Sequence, residues 1–496
     1  MSSQLALPLA RTVAYDAPHQ VPRAERVHVN RNLRLETAAW VGFDMDYTLA
    51  IYRHPQMDRL SIEATLRKMV ERFGRPESLL AMPFRSDFPI RGLHVDKKLG
   101  NVLKMDRYRY VKRAYHGMRE LTKEERRQHY HSRPVRVGTK RYHWVDTLYA
   151  LPEVTIYAAA IEHLEQLAAA SGKPSEIDYA KLFDEVRECI DLAHQDESIP
   201  GPIARDPDTY LERDPNLGPT LHKLRSAGKK LFLLTNSRAG YTERVMSWML
   251  DGQVPEYSRW RSYFDVVICS AKKPRFFEAS DLKFEGAEEG VAAPEDAFED
   301  GALYQSGCLG ELERLLKVAS DEILYVGDHI YGDVLRAKKE AAWRTMMIVQ
   351  EMRAELRVHE EVQEELARID ELHAVGDSLH QELRFRQAQI KAIDRELEAR
   401  PATALAAARV THRRAIDRIR ARLHAVEDER EALEARVERA FHPFWGSLFK
   451  AGPEVSSFGD QVEQYACLYT ERVSNLLHYS PVHYFRGPRD RMPHEL

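Results

Sequence analysis

Two aspartates, Asp44 and Asp46, stand two positions apart in Phe43-Asp44-Met45-Asp46-Tyr47-Thr48, directly behind the apolar run Ala38-Ala39-Trp40-Val41. A short apolar run ending in a polar burst reads as a buried strand, because it is too short for an independent helix. The mouth of such a strand in an open α/β sheet is where phosphoryl-transfer chemistry is built. On a continued strand the two carboxylates would share one side, whereas a turn beginning after Asp44 would set both around one phosphate and one metal. The plain alternative is a turn or cap, which Asp-x-Asp-x-Thr forms in many proteins without any chemistry.

Three later strand ends supply the other parts of such a site. Thr235 and Asn236 end the apolar run Lys230-Leu231-Phe232-Leu233-Leu234. They offer a hydroxyl, an amide and backbone N–H groups at the start of a following helix, where phosphate oxygens are held. Lys273, in Ala271-Lys272-Lys273-Pro274-Arg275, follows a third strand and can neutralise a nucleophile, a phosphate and the charge that develops between them. Asp328 and Asp333, in Val326-Gly327-Asp328-His329-Ile330-Tyr331-Gly332-Asp333, follow a fourth strand and suit a hard, oxygen-liking Mg2+. Each has an ordinary explanation alone: Thr-Asn-Ser is a common helix cap, a lysine before proline a loop residue, Gly-Asp a turn. Their joint order and spacing argues for a site.

The elements that must position these residues follow from the apolar pattern. Strands are expected at Phe264-Asp265-Val266-Val267-Ile268-Cys269, at Ile323-Leu324-Tyr325-Val326-Gly327-Asp328 and at Thr345-Met346-Met347-Ile348-Val349, with helices between them. That alternation gives an α/β fold with a doubly wound parallel sheet. Leu221 to Ala227 reads as a helix stopped by Gly228. The stretch between the first and second strands is far longer than a crossover and must be an inserted domain, with helical runs at Val154–Ala169 and Tyr179–His194. Beyond Gln350, Leu379, Leu383, Ile390, Ile393 and Leu397, and then Ile416, Ile419, Leu423 and Val426, follow a three-four spacing on either side of Arg400-Pro401. This reads as two long helices folded into an antiparallel hairpin, a packing or oligomerisation device. The expected organisation is an N-terminal arm laid on the surface (1–35), a core in two pieces (36–55 and 215–350), an inserted substrate-recognition cap (56–214), the hairpin (351–440) and an aromatic segment docked on the core (441–496).

Bulk properties bound the answer. A chain of 496 residues is too long for one ordinary core. With 44% hydrophobic and 30% charged residues and a net charge of −4, it gives no whole-chain electrostatic argument for nucleic acid or membrane. Cys189, Cys269, Cys308 and Cys467 form no CxxC pair, which disfavours a zinc site or disulfide framework and fits a reducing cytoplasm. The apolar Leu5-Ala6-Leu7-Pro8-Leu9-Ala10 is too short for a signal-peptide core, and the chain is expected to be neither exported nor membrane-spanning.

Asp44-Met45-Asp46-Tyr47-Thr48-Leu49, Thr235-Asn236-Ser237, Lys273 and Gly327-Asp328-His329-Ile330-Tyr331-Gly332-Asp333 together resemble the four motifs of the haloacid dehalogenase (HAD) superfamily. The match is closer than that. Arg91-Gly92-Leu93 with Gly100-Asn101-Val102-Leu103-Lys104-Met105-Asp106, Asp146-Thr147-Leu148-Tyr149-Ala150-Leu151-Pro152-Glu153, Lys273-Pro274-Arg275-Phe276-Phe277 and Met492-Pro493-His494-Glu495-Leu496 resemble the cytosolic purine 5′-nucleotidase family, which prefers inosine and guanosine monophosphates. The resemblance implies an HAD-like core, a Mg2+-dependent 5′-nucleotidase and an aspartyl-phosphate formed on Asp44, with Asp46 as acid and then base. It also implies phosphate binding by Thr235, Asn236 and Lys273, Mg2+ held by Asp44, the main-chain carbonyl of Asp46 and Asp328, and Asp333 orienting a water.

Arg187, Asp191 and His194 fall on one helix face and match positions that touch the base; Tyr149 matches an aromatic that stacks on it. Their ordinary explanations are a surface ion pair beside a satisfied histidine, and a core tyrosine. Gln195, Pro200 and Ala150 depart from the family's tyrosine, lysine and asparagine, so the reaction type stands on firmer residues than the purine preference. The resemblance further implies a homo-oligomer, a nucleotide effector such as ATP and transfer of phosphate to a nucleoside as well as to water.

Two rivals remain. One is an HAD phosphatase acting on a non-purine phosphate monoester. The other is a catalytically idle nucleic-acid-binding scaffold using the stretch from Lys104 to Arg141, where thirteen Lys or Arg interleave with Tyr108, Tyr110, Tyr115 and Tyr130. Intact Asp44, Asp46, Lys273 and Asp328 speak against idleness.

Overall fold

The computed structural model of the chain describes residues 21–131, 133–172, 177–299, 301–400 and 402–487. Leu5–Ala10, Pro401 of the hairpin turn and the motif Met492–Leu496 lie outside the described residues. In chain order, strand β1 (His28–Val29) and strand β2 (Trp40–Phe43) precede helix α1 (His54–Phe73). There follow strands β3 (Leu93–Asp96), β4 (Asn101–Met105), β5 (Val111–His116), β6 (Arg119–Glu120) and β7 (Tyr142–Val145), then helices α2 (Leu151–Ala170) and α3 (Tyr179–Gln195). Next come α4 (Leu217–Ser226), β8 (Lys230–Leu234), α5 (Ala239–Leu250), β9 (Val266–Cys269), β10 (Phe284–Gly286), β11 (Leu303–Ser306), β12 (Ile323–Gly327) and β13 (Arg344–Ile348). Helices α6 (Met352–Glu361), α7 (Gln363–Ala399) and α8 (Thr403–Phe441) lead to strand β14 (Leu468–Thr470).

The large sheet runs in the order β1-β14-β13-β12-β2-β8-β9-β11-β10. The seven strands from β14 to β11 pair in parallel, and β1 and β10 close the edges antiparallel. Central strands such as Leu231–Leu234 and Ile323–Gly327 are buried throughout, as continuous apolar runs must be when both faces of a parallel sheet are covered. From β2 the chain builds outward through β8, β9 and β11, then crosses back to β12 and β13 on the other side. The direction of winding therefore reverses at β2, and the crevice at the carboxyl ends of β2, β8 and β12 is where such sheets bind ligands. Gly42 permits the close packing there: a Cβ would meet the Phe232 ring at 2.0 Å.

Segment 21–35 corrects the expectation of a surface arm. Val27, Leu33 and Leu35 are buried and β1 pairs with β14, so this stretch adds an edge strand to the main sheet and sends three side chains into the core. The aromatic C-terminal segment likewise supplies a strand to the parallel sheet through β14.

The insert carries a five-stranded antiparallel sheet, β6-β5-β4-β3-β7, beside a layer formed by α1, α2 and α3. In the Lys104–Arg141 stretch Tyr115 and Tyr130 are buried, the Lys104 ammonium donates to the Trp445 and Ser447 carbonyls, and Arg141 pairs with Asp96. Tyr108 and Tyr110 stay exposed. Helices α7 and α8 pack antiparallel, with Leu379, Ile419 and Leu423 buried in the seam and Leu383 and Val426 against them. No helix of the described residues is long and apolar enough to cross a membrane, and all four cysteines are free and buried.

Candidate active site

The turn behind β2 separates the two aspartates. The Asp44 N–H donates to the Val326 carbonyl at 2.9 Å, which keeps Asp44 on the line of the strand. The N–H groups of Thr48, Leu49 and Ala50 then fold back on the Met45 carbonyl, and Tyr47 takes a positive φ of 55°. The Asp46 carboxylate is thereby swung to a different wall, where it accepts from the Tyr52 hydroxyl at 2.5 Å and the Ser237 hydroxyl at 2.6 Å. Burial pushes the Asp46 carboxyl above the usual carboxylate range, while the hydrogen bonds from Ser237 and Tyr52 and the charge of Lys273 pull it down.

Asp44 faces a compact charge cluster. Lys273 Nζ lies 2.9 Å from Asp44 Oδ1 and 2.6 Å from Asp333 Oδ1, and donates to the Tyr325 hydroxyl at 2.9 Å. Burial disfavours the ammonium, but Asp333, Asp44 and Tyr325 more than offset it and hold the lysine charged. Gly327 lets Asp333 fold over the strand end, since a Cβ there would meet Asp333 Oδ2 at 2.5 Å.

Asp44, Asp328 and Asp333 each offer a carboxylate oxygen within 4.8 Å of the other two. Asp328 Oδ2 is buried with no hydrogen-bond partner among the described residues. Burial drives the Asp44 carboxyl up to about 7 against the pull of Lys273, and pushes Asp328 well above its ordinary range against the pull of Arg91. Converging hard oxygens from three buried carboxylates, one of those oxygens orphaned, form a donor set suited to a divalent cation such as Mg2+.

A cavity of about 660 Å3 opens over this cluster, within the size range of small-molecule sites. Asp44, Asp46, Asn236, Lys273, Asp328 and Asp333 line one end; Tyr149, Arg187, Asp191 and His194 of the insert line the other. Arg187 donates to His143 Nε2 at 2.9 Å and lies 3.6 Å from Glu153 Oε2. Tyr149 stands edge-on to both Tyr47 (4.8 Å) and His194 (5.2 Å). Burial lowers His194 to about 4, which leaves it neutral near pH 7. Ala150, Gln195 and Pro200, the three departures from the family pattern, line the same cavity.

Thr235 is not brought to the cavity. It is fully buried, and its hydroxyl accepts from the Ser237 N–H at 3.1 Å. Asn236 reaches the cavity but also clamps the Lys273 backbone, accepting from its N–H at 2.6 Å and donating to its carbonyl at 3.0 Å. Tyr52, Ser237, Asp146, Glu153 and His329 carry no assigned role in the sequence, although all but Tyr52 stand inside the motifs quoted above, and membership of those motifs is the signal that points to them. His329 Nε2 lies 2.9 Å from Asp146 Oδ2 and joins insert to core across the mouth. Burial disfavours its charged form, but Asp146 overrides that and raises it to about 9.

The sequence profile of the 5′ nucleotidase family matches residues 27–496. A 5′-nucleotidase domain-containing protein of Dictyostelium discoideum is 27% identical over 95% of this chain and 74% of its own length. The human 5′-nucleotidase domain-containing protein 2 is 27% identical over 95% of this chain and 85% of its own. Among solved structures, L-2-haloacid dehalogenase from Xanthobacter autotrophicus aligns with 63% of this chain and 78% of that one, at 13% identity and a TM-score of 0.21. The chain belongs to the 5′ nucleotidase family and is a phosphoric monoester hydrolase.

Proposed function

We propose that the protein hydrolyses purine nucleoside 5′-monophosphates, such as those of inosine and guanosine, through an aspartyl-phosphate on Asp44. The reading rests on one observation: Asp44 and Asp46 face one cavity with different partners. Asp44 pairs with the Lys273 ammonium, while Asp46 accepts hydrogen bonds from the Tyr52 and Ser237 hydroxyls.

Phosphate monoesters hydrolyse very slowly unaided, so positioning and charge stabilisation must act together. An oxygen of Asp44 bonds to phosphorus as the bond to the 5′ oxygen breaks, and the departing oxygen takes a proton from the Asp46 carboxyl, whose hold on a proton burial strengthens. A water then attacks the aspartyl-phosphate, giving its proton to Asp46, and phosphate leaves with Asp44 restored. Lys273 stays charged throughout and stabilises the phosphoryl oxygens, with Asp333 holding it in place. Mg2+, bound by Asp44, the Asp46 carbonyl and Asp328, would neutralise the carboxylates and the incoming phosphate.

The insert closes the far end and excludes water from the phosphorylated aspartate. Arg187 donates to acceptors on the base, Asp191 accepts from its ring N–H, neutral His194 serves in either role, and Tyr149 packs between the reacting and recognition ends. Phosphate release measured over a panel of purine and pyrimidine nucleoside 5′-monophosphates, with and without Mg2+ and a nucleoside acceptor, tests this. Mg2+-dependent release with purine preference is expected. Pyrimidine preference would overturn the purine assignment, and absence of release from every nucleotide would overturn the activity.

A further inference from the structure

Arg91 reaches from the start of the insert into the core directly behind Asp328 and is 1% exposed. Its Nη1 donates to the main-chain carbonyl of Asp328 at 2.9 Å. Its other two nitrogens fork onto Glu351, with Nε to Oε1 at 2.8 Å and Nη2 to Oε2 at 2.5 Å. The Asp328 carboxylate, by contrast, comes no nearer than 3.9 Å through Oδ2, the atom left without a hydrogen bond among the described residues. The ring of Phe458 covers the guanidinium at 5.1 Å.

This arrangement is unusual for its charges. A buried guanidinium beside a buried carboxylate ordinarily forms the two-pronged pair, which satisfies both groups. Here that pair exists, but Glu351 is the acceptor, fixed by its place immediately before α6. Asp328 receives only a contact to its main chain, which anchors the strand end while leaving the carboxylate free.

We propose that Glu351 holds Arg91 off the Asp328 carboxylate, so that Asp328 remains available to a divalent cation. The inference rests on the reading that Asp44 and Asp328 share that cation. Arg91 and Glu351 are positioning residues: neither lines the cavity, and both act through the orientation and charge of Asp328. Without the negative charge of Glu351, the acceptor next in reach of the guanidinium is Asp328 Oδ2. A pair formed there competes directly with the cation.

The test uses the full-length protein and two readouts: Mn2+ binding without nucleotide, followed by electron paramagnetic resonance, and the Mg2+ concentration that half-saturates phosphate release. Glu351→Gln keeps the shape and removes the charge, and is expected to weaken Mn2+ binding on the order of tenfold or more, as a new opposite charge on a carboxylate does to a competing cation. Adding Arg91→Met to Glu351→Gln is expected to restore most of the binding, because the competitor is gone. A purely structural role predicts the reverse, a double variant worse than either single one, and that result overturns the proposal. Wild-type affinity in Glu351→Gln overturns it as well. Should the double variant fail to fold, Glu351→Asp decides: binding kept with Asp and lost with Gln supports the proposal, and equal loss with both overturns it. Failure of the wild-type protein to bind Mn2+ would remove the cation reading and this inference together, whereas wild-type binding with an unaffected Glu351→Gln removes the inference alone.

Discussion

Replacing Tyr52 by phenylalanine probes the division of labour between the two aspartates. The Tyr52 hydroxyl donates to Asp46 Oδ1 at 2.5 Å and also meets the Tyr241 hydroxyl at 2.8 Å. That donor stabilises the ionised form of Asp46, so it works against burial, and its loss must raise the Asp46 pKa further. A hydrogen bond to a charged group contributes about 1.5–3 kcal/mol, and about 1.4 kcal/mol corresponds to one pH unit, so the expected displacement is about 1–2 pH units upward. The assay is the pH dependence of kcat/KM for inosine 5′-monophosphate, whose alkaline limb reports the loss of the proton that Asp46 must donate. Tyr52→Phe should move that limb up, and Ser237→Ala should move it in the same direction, since Ser237 donates to the other oxygen. Tyr241→Phe, which touches Asp46 only through Tyr52, should move it less. An unshifted limb in both Tyr52→Phe and Ser237→Ala, or a downward shift, would refute the assignment of the acid to Asp46.

Arg187→Met should raise KM for purine monophosphates on the order of tenfold or more, as loss of a charge-assisted contact does, while leaving hydrolysis of a small aryl phosphate unchanged; equal loss with both substrates would contradict a role in base recognition. The fold should also lose stability in acid through its buried histidines. Burial lowers His442 from 6.5 to about 4, and its ring Nδ1 accepts from the Phe444 and Trp445 N–H groups. The unfolded chain binds the proton first, so this contribution is fully present above about pH 6.5, falls away toward about pH 4, and amounts at most to about 3 kcal/mol. Denaturant unfolding at pH 7 and at pH 4.5 should show a smaller acid loss in His442→Asn than in the wild type; an identical loss would contradict the assignment.

The parallel sheet was legible because its strands are unbroken apolar runs, each closing on a polar residue with few competing uses. Leu231–Leu234 and Ile323–Gly327 have no amphipathic alternative, so local pattern and tertiary position agree. Two-residue strands such as β1 carry no such pattern, and its pairing with β14 joins segments more than four hundred residues apart, which is why the stretch read as a surface arm. The strand-end carboxylates could be picked out by type and order. What holds each of them could not. Asp46 is held by Ser237, 191 positions away, and the Asp328 carbonyl by Arg91, 237 positions away; neither residue type is distinctive on a polar loop. Thr235 and Ser237 are equivalent hydroxyls in sequence, and only the folded turn sends one into the core and the other to the cavity.

The proposed mechanism turns on a covalent bond between Asp44 and phosphorus. Rapid acid quenching of the protein during turnover of a radiolabelled purine monophosphate, followed by peptide mapping, measures it directly. An acid-stable, base-labile label is expected on Asp44 in the wild type, and neither label nor phosphate release in a folded Asp44→Asn variant. Turnover without label, or a label that persists in Asp44→Asn, would contradict it.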